Sequence, residues 1–101
     1  MKISAEISLY PLDSEYLSII KDIVGRLNRD PRVSCYTNTM SSQIFGEFDD
    51  VMDVVKETLV YSFDQYGKQV LVAKFLNGDV EPKQDSEPSV ETGSSVETQQ
   101  L

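Results

Sequence analysis

The polar residues best suited to bind a ligand lie in one short run, Thr37-Asn38-Thr39-Met40-Ser41-Ser42-Gln43. Its amide and hydroxyl groups can both donate and accept hydrogen bonds, and aromatic residues flank it. A flat heteroaromatic ligand is typically held by apolar walls and a few placed polar groups of this kind. Asn, Ser and Thr are also the usual residues of hairpin turns, so composition alone leaves a ligand site and an ordinary turn both open.

A second set of candidate groups comes from the N-terminal segment, residues 2–10, in which apolar and polar residues alternate. Alternation of this kind predicts a half-buried strand, and its odd-numbered apolar residues would face a core. The opposite face would then carry Glu6, Ser8 and Tyr10. Lys74 from the last predicted strand can lie beside Glu6, either as the partner of a buried carboxylate or as an exposed ion pair worth little.

The elements that must position these groups follow from the hydrophobic periodicity. The order β-α-β-β-α-β folds through right-handed crossovers into an α+β ferredoxin-like sandwich, a four-stranded antiparallel sheet with two helices on one face. The predicted landmarks are strand 2–10, a helix capped by Ser14 and ended by Asn28 to Pro31, strands near Arg32–Tyr36 and Met40–Glu47, a helix capped by Asp49 or Asp50 and ended by Gly67, and strand Gln69–Leu76.

The composition changes after residue 79. Residues 1–79 form the predicted ferredoxin-like domain, which is a ligand-binding domain if the polar run at residues 37–43 is a site and not only a turn. Residues 80–101 are rich in Ser, Thr, Gln and Glu and contain no aromatic residue, which predicts an acidic disordered tail.

Several classes of function are disfavoured by composition. The chain has no histidine and one cysteine, Cys35, so it lacks the commonest general base and any Cys/His metal cluster. We therefore expect no metal, no cofactor and no enzymatic activity. A net charge of −8 argues against nucleic-acid binding. We also expect no membrane insertion, and a solitary cysteine fits a reducing, cytoplasmic location.

The last predicted strand, QVLVAKFL, is apolar on both faces except for Lys74. A strand of this type normally has a layer packed on each side. The two helices can cover only one face of the sheet. We therefore expect self-association into a homodimer or a larger assembly.

Three runs in this chain, AEISLYPL, YTNTMSSQIFGEFDDVMDVV and FDQYGKQVLVAKFLNGD, resemble the YkoF-related family of thiamine- and hydroxymethylpyrimidine-binding proteins. The resemblance spans residues 3–79 and implies a ferredoxin-like domain that self-associates. It also implies binding of thiamine or its precursor through the pyrimidine part, in uptake or salvage. The family's best-known form carries two such domains in tandem, whereas this chain has one.

Carried onto this chain, the resemblance implies a site made of Glu6, Ser8, Tyr10, Asn38, Met40, Ser41, Ser42 and Gln43. Asn38 and the serines would bond ring nitrogens and an amino or hydroxyl group, Glu6 would accept from an amino group, and a wall would come from Tyr10 or Met40. The alternative function is an oligomeric protein-interaction or regulatory module that binds no small ligand.

Overall fold

Six elements follow one another in the order β-α-β-β-α-β in the computed structural model, which describes residues 1–82. The sheet order is β2-β3-β1-β4, and every neighbouring pair is antiparallel. The predicted ferredoxin-like α+β fold is confirmed. Of the predicted tail, residues 83–101 lie outside the described residues. The elements are β1 (Lys2–Pro11), α1 (Tyr16–Arg29), β2 (Ser34–Thr37), β3 (Ser42–Glu47), α2 (Phe48–Tyr66) and β4 (Gln69–Leu76).

The core lies between the two helices and one face of the sheet. Each helix contributes a stripe of residues at helical spacing, and the central strands contribute alternate residues. Burying one such Ile or Leu side chain stabilises the fold by about 1.5–3 kcal/mol. The buried apolar side chains are Ile3, Ala5, Ile7, Ile19, Ile23, Leu27, Ile44, Phe45, Val51, Val54 and Val55; Phe45 is the one of these on the opposite face of the sheet.

The start of α1 differs from the prediction. The helix begins at Tyr16 with Glu15 at the N-cap position, so the prediction of Ser14 as the cap is wrong. The Asp13 carboxylate accepts a hydrogen bond from the N–H of Glu15 at 2.7 Å. Residues 13–15 therefore form a turn before the helix, and the first helical residue lies one position later than predicted.

The start of α2 also differs. Its N-cap is Glu47, and Asp49 and Asp50 lie within the first turn, so neither is the predicted cap. The N–H of Phe48 donates to the carbonyl of Met1 at 2.8 Å, which continues the ladder between β3 and β1 into the helix. The strand therefore passes directly into the helix, and its last residue, Glu47, is the N-cap without a side-chain capping hydrogen bond. The two aspartates still favour this helix terminus through its dipole.

The end of α2 and the whole of β4 match the prediction. Gly67 has φ of 81°, a region that favours glycine, and its N–H donates to the carbonyl of Phe63 at 3.3 Å. β4 then runs from Gln69 to Leu76. Within residues 1–82, no helix has both the length and the apolar character needed to cross a membrane.

The sheet face away from the helices, the open face, is crossed at one end by the residues after β4. The Ser4 hydroxyl donates to the carbonyl of Gly78 at 2.7 Å and accepts from the N–H of Val80 at 3.0 Å. The Tyr36 hydroxyl then donates to Glu81 at 2.8 Å, and this bond raises the pKa of Tyr36. Contacts with the sheet thus continue to Glu81, while the opposite end of the sheet is left for the candidate site.

Candidate functional site

β1 extends beyond the end of its neighbour β3. The first residue of β3, Ser42, is in register with Ile7. β1 continues to Pro11, and its residues 8–11 pair with β4 alone. Along this stretch one edge of β1 borders a gap rather than a strand. Side chains from both faces of β1 therefore reach the same space.

The gap is bordered by the loop between β2 and β3, and Asn38 sets the shape of that loop. Its Oδ1 accepts hydrogen bonds from the N–H groups of Met40 at 2.7 Å and Ser41 at 2.9 Å. Its own N–H donates to the carbonyl of Ser41 at 2.9 Å. These bonds form a closed turn over residues 38–41, the Asn38 turn. Since Met40 is held inside this turn, β3 begins at Ser42 and not near Met40 as predicted.

A cavity of about 430 Å³ lies between the Asn38 turn, the last residues of β1 and α1. Small-molecule sites typically occupy about 300–1,000 Å³, so the volume suits a ligand the size of one or two rings. The residues that line it are uncharged. Six of the predicted site residues line it: Ser8, Tyr10, Asn38, Met40, Ser41 and Ser42.

The opposite wall comes from α1 and was not predicted as part of the site. Tyr16, Ile20 and Val24 follow one another at intervals of four residues and line the cavity. Periodicity assigned them to the core, because an apolar helical stripe looks the same whether it packs on a sheet or walls a cavity. The difference lies in exposure: Tyr16 is 47% exposed.

The predicted polar groups differ in how far the fold has already used them. The Ser8 hydroxyl donates to the carbonyl of Met40 at 3.2 Å. The buried Ser42 hydroxyl lies 2.8 Å from the Thr37 hydroxyl. The Oδ1 of Asn38 holds the turn, whereas its Nδ2 has no hydrogen-bond partner among residues 1–82. The Nδ2 of Asn38 is thus a donor in the cavity lining that the fold has not used.

Glu6 and Gln43 do not line the cavity. They are cross-strand partners on the open face. Glu6 accepts a hydrogen bond from the Ser41 hydroxyl at 2.8 Å, so it reaches the site through Ser41. The predicted neighbour Lys74 lies 3.5 Å from the other Glu6 oxygen, and its side chain is 77% exposed. An ion pair this exposed stabilises little.

Two observations concern the groups that could hold a metal ion or act as a nucleophile. In the part of the chain that the structure describes, no cluster of three acidic or cysteine side chains could hold a metal ion. Cys35 lies 3.9 Å from the Thr37 hydroxyl, and burial raises the pKa of its thiol. A raised pKa lowers the thiolate fraction at neutral pH and makes the sulfur a poorer nucleophile.

Several solved structures are similar in fold to this chain. A protein from Streptococcus pneumoniae, SP2199, is similar with a TM-score of 0.72 and 22% identity over 79% of this chain and 90% of that chain. A Thermotoga maritima protein described as a "putative thiamine biosynthesis/salvage protein" is similar with a TM-score of 0.69 and 19% identity, over 77% of this chain and 85% of that chain. Hypothetical protein MJ1052 from Methanocaldococcus jannascii is similar with a TM-score of 0.64 and 20% identity, over 88% of each chain.

At these identities the solved structures support the fold alone. No curated protein matches the chain. The model of the YKOF-related Family matches residues 2–75, from the first residue of β1 to the penultimate residue of β4. The match includes every residue that lines the cavity. The chain therefore belongs to the YkoF-related family.

Proposed function

We propose that this chain binds a thiamine-type pyrimidine, with hydroxymethylpyrimidine as the simplest ligand, in the cavity between α1 and the Asn38 turn. The observation that carries the proposal is an uncharged cavity with apolar walls and an uncommitted Asn38 amide at its rim. Membership of the YkoF-related family and the description of the similar Thermotoga maritima protein support this choice of ligand. The role is uptake or salvage of the compound in the cytoplasm.

The chemistry of the ligand suits the lining residues. Hydroxymethylpyrimidine is flat and neutral, so it can enter an uncharged cavity without the cost of desolvating an ion. Tyr10, Tyr16 and Met40 offer aromatic and thioether surfaces to its ring. The Nδ2 of Asn38 can donate to a ring nitrogen. In thiamine, the cationic thiazolium would remain towards solvent, where the net charge of −8 attracts it.

Binding without catalysis is part of the proposal. Tyr10 and Tyr16 are the lining residues with an ionisable side chain, and the lining holds no carboxylate, amine or thiol. General acid–base catalysis needs a positioned group that titrates near the working pH. The lining supplies hydrogen bonds and apolar contact instead, which fits a carrier or salvage component.

Self-association through β4 completes the proposal. β4 pairs with β1 on one side, and its other edge has no partner strand within residues 1–82. Val72 and Leu76 on the open face and Phe75 on the helix face are each exposed by nearly half. An exposed apolar edge strand is a template for pairing with another chain. This feature also favours the second candidate function, an interaction module without a small ligand.

Calorimetric titration tests the ligand proposal. The wild type is titrated with hydroxymethylpyrimidine and with thiamine, and then Tyr16→Ala is compared with Leu17→Ala. Tyr16 lines the cavity, whereas the neighbouring Leu17 is 61% exposed and does not. We expect one site per chain and about a tenfold loss of affinity for Tyr16→Ala alone, which corresponds to about 1.4 kcal/mol. Absence of heat with both ligands, or equal effects of the two substitutions, would contradict the proposal.

A further inference from the structure

A second cavity, of about 340 Å³, lies between α1 and α2. All three arginines of the chain, Arg26, Arg29 and Arg32, line it. Ile23 and Leu27 line both this cavity and the one beside the Asn38 turn, so the two cavities are separate but border the same helix. A chain with a net charge of −8 thus gathers every one of its arginines at one place, which we call the arginine cavity.

Arg32 is the arginine whose charge the fold has already matched. Its Nη2 lies 2.7 Å from the carboxylate of Asp30 and 2.8 Å from that of Glu57. Two further hydrogen bonds, from Nε to Asp30 and from Nη1 to Glu57, fix the plane of the guanidinium. Arg32 therefore forms a fixed wall of the arginine cavity and joins the end of α1 to α2.

Arg26 is held in place but keeps donors available. Its guanidinium carbon lies 3.4 Å from the centre of the Tyr61 ring, a cation–π contact that fixes the group over the ring. Its contact with the Asp22 carboxylate is made by Nε at 3.5 Å. Within residues 1–82 its two Nη groups donate no hydrogen bond, so they can meet a bound group without breaking a contact of the fold.

Arg29 is a cation that the fold has not paired. It follows Arg26 by three residues, which places their Cβ atoms about 5–6 Å apart on one side of α1. Within residues 1–82 its side chain makes no ion pair and no hydrogen bond. Its Nη1 lies beside Gly25, where a Cβ atom would be only 3.1 Å away. The glycine is unfavourable inside a helix, and here it leaves room for the guanidinium.

The helix itself accounts for part of this arrangement. Arg26 and Arg29 lie in the last turn of α1, where cations interact favourably with the helix dipole. That effect does not account for Arg32, which follows the helix and lines the same cavity. Nor does it require that the arginines border an open space. A bound anion accounts for both features.

The chemistry of the lining indicates the kind of anion. The lining contains three guanidinium groups and two carboxylates, Asp30 and Glu57, so its net charge is +1. Thr58 adds a hydroxyl from α2 that makes no hydrogen bond within residues 1–82. A carboxylate has two oxygens in one plane and is satisfied by one guanidinium, whereas a phosphate group presents three oxygens in different directions. Donors from two helices therefore fit a phosphate group better.

The size of the cavity and its apolar residues indicate what the phosphate group is attached to. The volume lies within the range of about 300–1,000 Å³ that is typical of small-molecule sites, so there is room for more than a phosphate ion. Apolar contact is available from Ile23, Leu27, Pro31 and Val54.

We propose that the arginine cavity binds a small phosphate monoester. Arg26 and Arg29 donate to the phosphate oxygens, and an apolar or aromatic ester group packs against the residues of α1 and α2. The proposal is independent of the proposed function, because the arginines do not line the cavity beside the Asn38 turn.

NMR titration of the ¹⁵N-labelled full chain with phenyl phosphate tests the proposal. The three arginines give three Nε–Hε signals, and we expect all three to shift and saturate together, with one site per chain by calorimetry. Inorganic phosphate should shift the same signals with about tenfold lower affinity, because it lacks the ester group. Benzoate, which carries a carboxylate on the same ring, should bind at least tenfold more weakly than phenyl phosphate.

Substitution of Arg29 supplies the second arm of the test. Arg29→Gln should bind phenyl phosphate at least tenfold more weakly, and Arg29→Lys should lose less, since it keeps the charge without the planar fork. Lys21→Gln is the matched control, because Lys21 is an exposed cation of α1 that lines neither cavity. It should change the affinity less than twofold. Urea denaturation should give wild-type stability for both Arg29 variants, which have no ion pair to lose.

Several results would overturn the proposal. They are arginine signals that do not shift with phenyl phosphate, equal affinity for inorganic phosphate or benzoate, and equal losses in Arg29→Gln and Lys21→Gln. Displacement of phenyl phosphate by hydroxymethylpyrimidine would place both ligands in one cavity and would also overturn it. Failure of hydroxymethylpyrimidine to bind at all would overturn the proposed function and leave this proposal standing.

Discussion

The side-chain oxygen of Asn38 lies 2.7 Å from the main-chain nitrogen of Met40 and accepts its hydrogen bond. That N–H would otherwise be available to continue β3 alongside β1. Since the bond is made within the turn, β3 begins at Ser42 and the last residues of β1 border a cavity. One side chain thus both sets where β3 begins and opens the candidate site.

Asn38 has two roles in this account, because its Oδ1 holds the turn and its Nδ2 donates to the ligand. Substitutions at Asn38 should separate these roles. Asn38→Ala removes the acceptor for two N–H groups, so we expect the turn to loosen, a loss of about 1–3 kcal/mol in unfolding free energy and at least tenfold weaker pyrimidine binding. Asn38→Asp keeps the acceptor but removes the Nδ2 donor, so it should retain the turn and lose only affinity. Urea denaturation and calorimetry measure the two effects. Wild-type affinity in both variants would contradict the role given to Asn38.

Glu6 should matter less for the ligand than Asn38, because it lies outside the cavity and acts through Ser41. Glu6→Gln keeps an acceptor for the Ser41 hydroxyl, so we expect less than about a threefold change in affinity. The ion pair with Lys74 is exposed and should contribute at most about 1 kcal/mol to stability. Lys74→Met is the matched control for lost charge. A tenfold loss of affinity for Glu6→Gln alone would place Glu6 in direct contact with the ligand.

Charged residues on β4 should disrupt self-association. The double substitution Val72→Glu and Phe75→Glu places one carboxylate on each exposed apolar face of the strand. We expect the wild type to sediment as a dimer or larger assembly and the double variant as a monomer. Val60→Glu, at an exposed position of α2, controls for the added charge. A monomeric wild type at high concentration would contradict the proposal for β4.

Asp22 should give the fold a pH-dependent contribution. Its carboxylate accepts from the hydroxyls of Tyr61 at 2.6 Å and Tyr66 at 2.5 Å, and these bonds, with Arg26 nearby, lower the pKa of Asp22 below 3.8. A lowered pKa in the folded state stabilises the fold above the unfolded value, and this stability is lost as pH falls through the folded value. Asp22→Asn should therefore reduce the unfolding free energy by about 1–2 kcal/mol at pH 7.

The difference in unfolding free energy between wild type and Asp22→Asn should shrink as the pH is lowered from 4 towards 2, as measured by urea denaturation across that range.

At alkaline pH the dependence runs the other way for Tyr66, whose pKa is raised to about 12 by the bond to Asp22. Its contribution is complete below pH 10 and is lost as pH rises through 12. Asp64→Asn, an exposed change on α2, is the control. A constant difference at all pH values would contradict this role of Asp22.

The sequence predicted the fold well wherever an element depends on interactions between residues close in sequence. Alternation in β1, the limits of β4 and the glycine at the end of α2 depend on residues close in sequence, and each was predicted. The starts of α2 and β3 were not predicted correctly. The start of α2 depends on a hydrogen bond to the carbonyl of Met1, and the start of β3 depends on the side chain of Asn38. Periodicity carries no information about either bond.

The candidate site was only partly predictable for a related reason. The polar residues in the Asn38 turn stand out in the sequence, so the cavity rim could be found. The wall from α1 could not, because Ile20 and Val24 have the same spacing as core residues.

The most direct test of the account is a crystal structure of the protein grown with saturating hydroxymethylpyrimidine. The account predicts the ring between α1 and the Asn38 turn, in contact with Tyr16 and with a ring nitrogen within hydrogen-bond distance of the Asn38 amide. Density for the ligand on the open face beside Glu6 and Lys74, or a cavity that contains only water under these conditions, would contradict it.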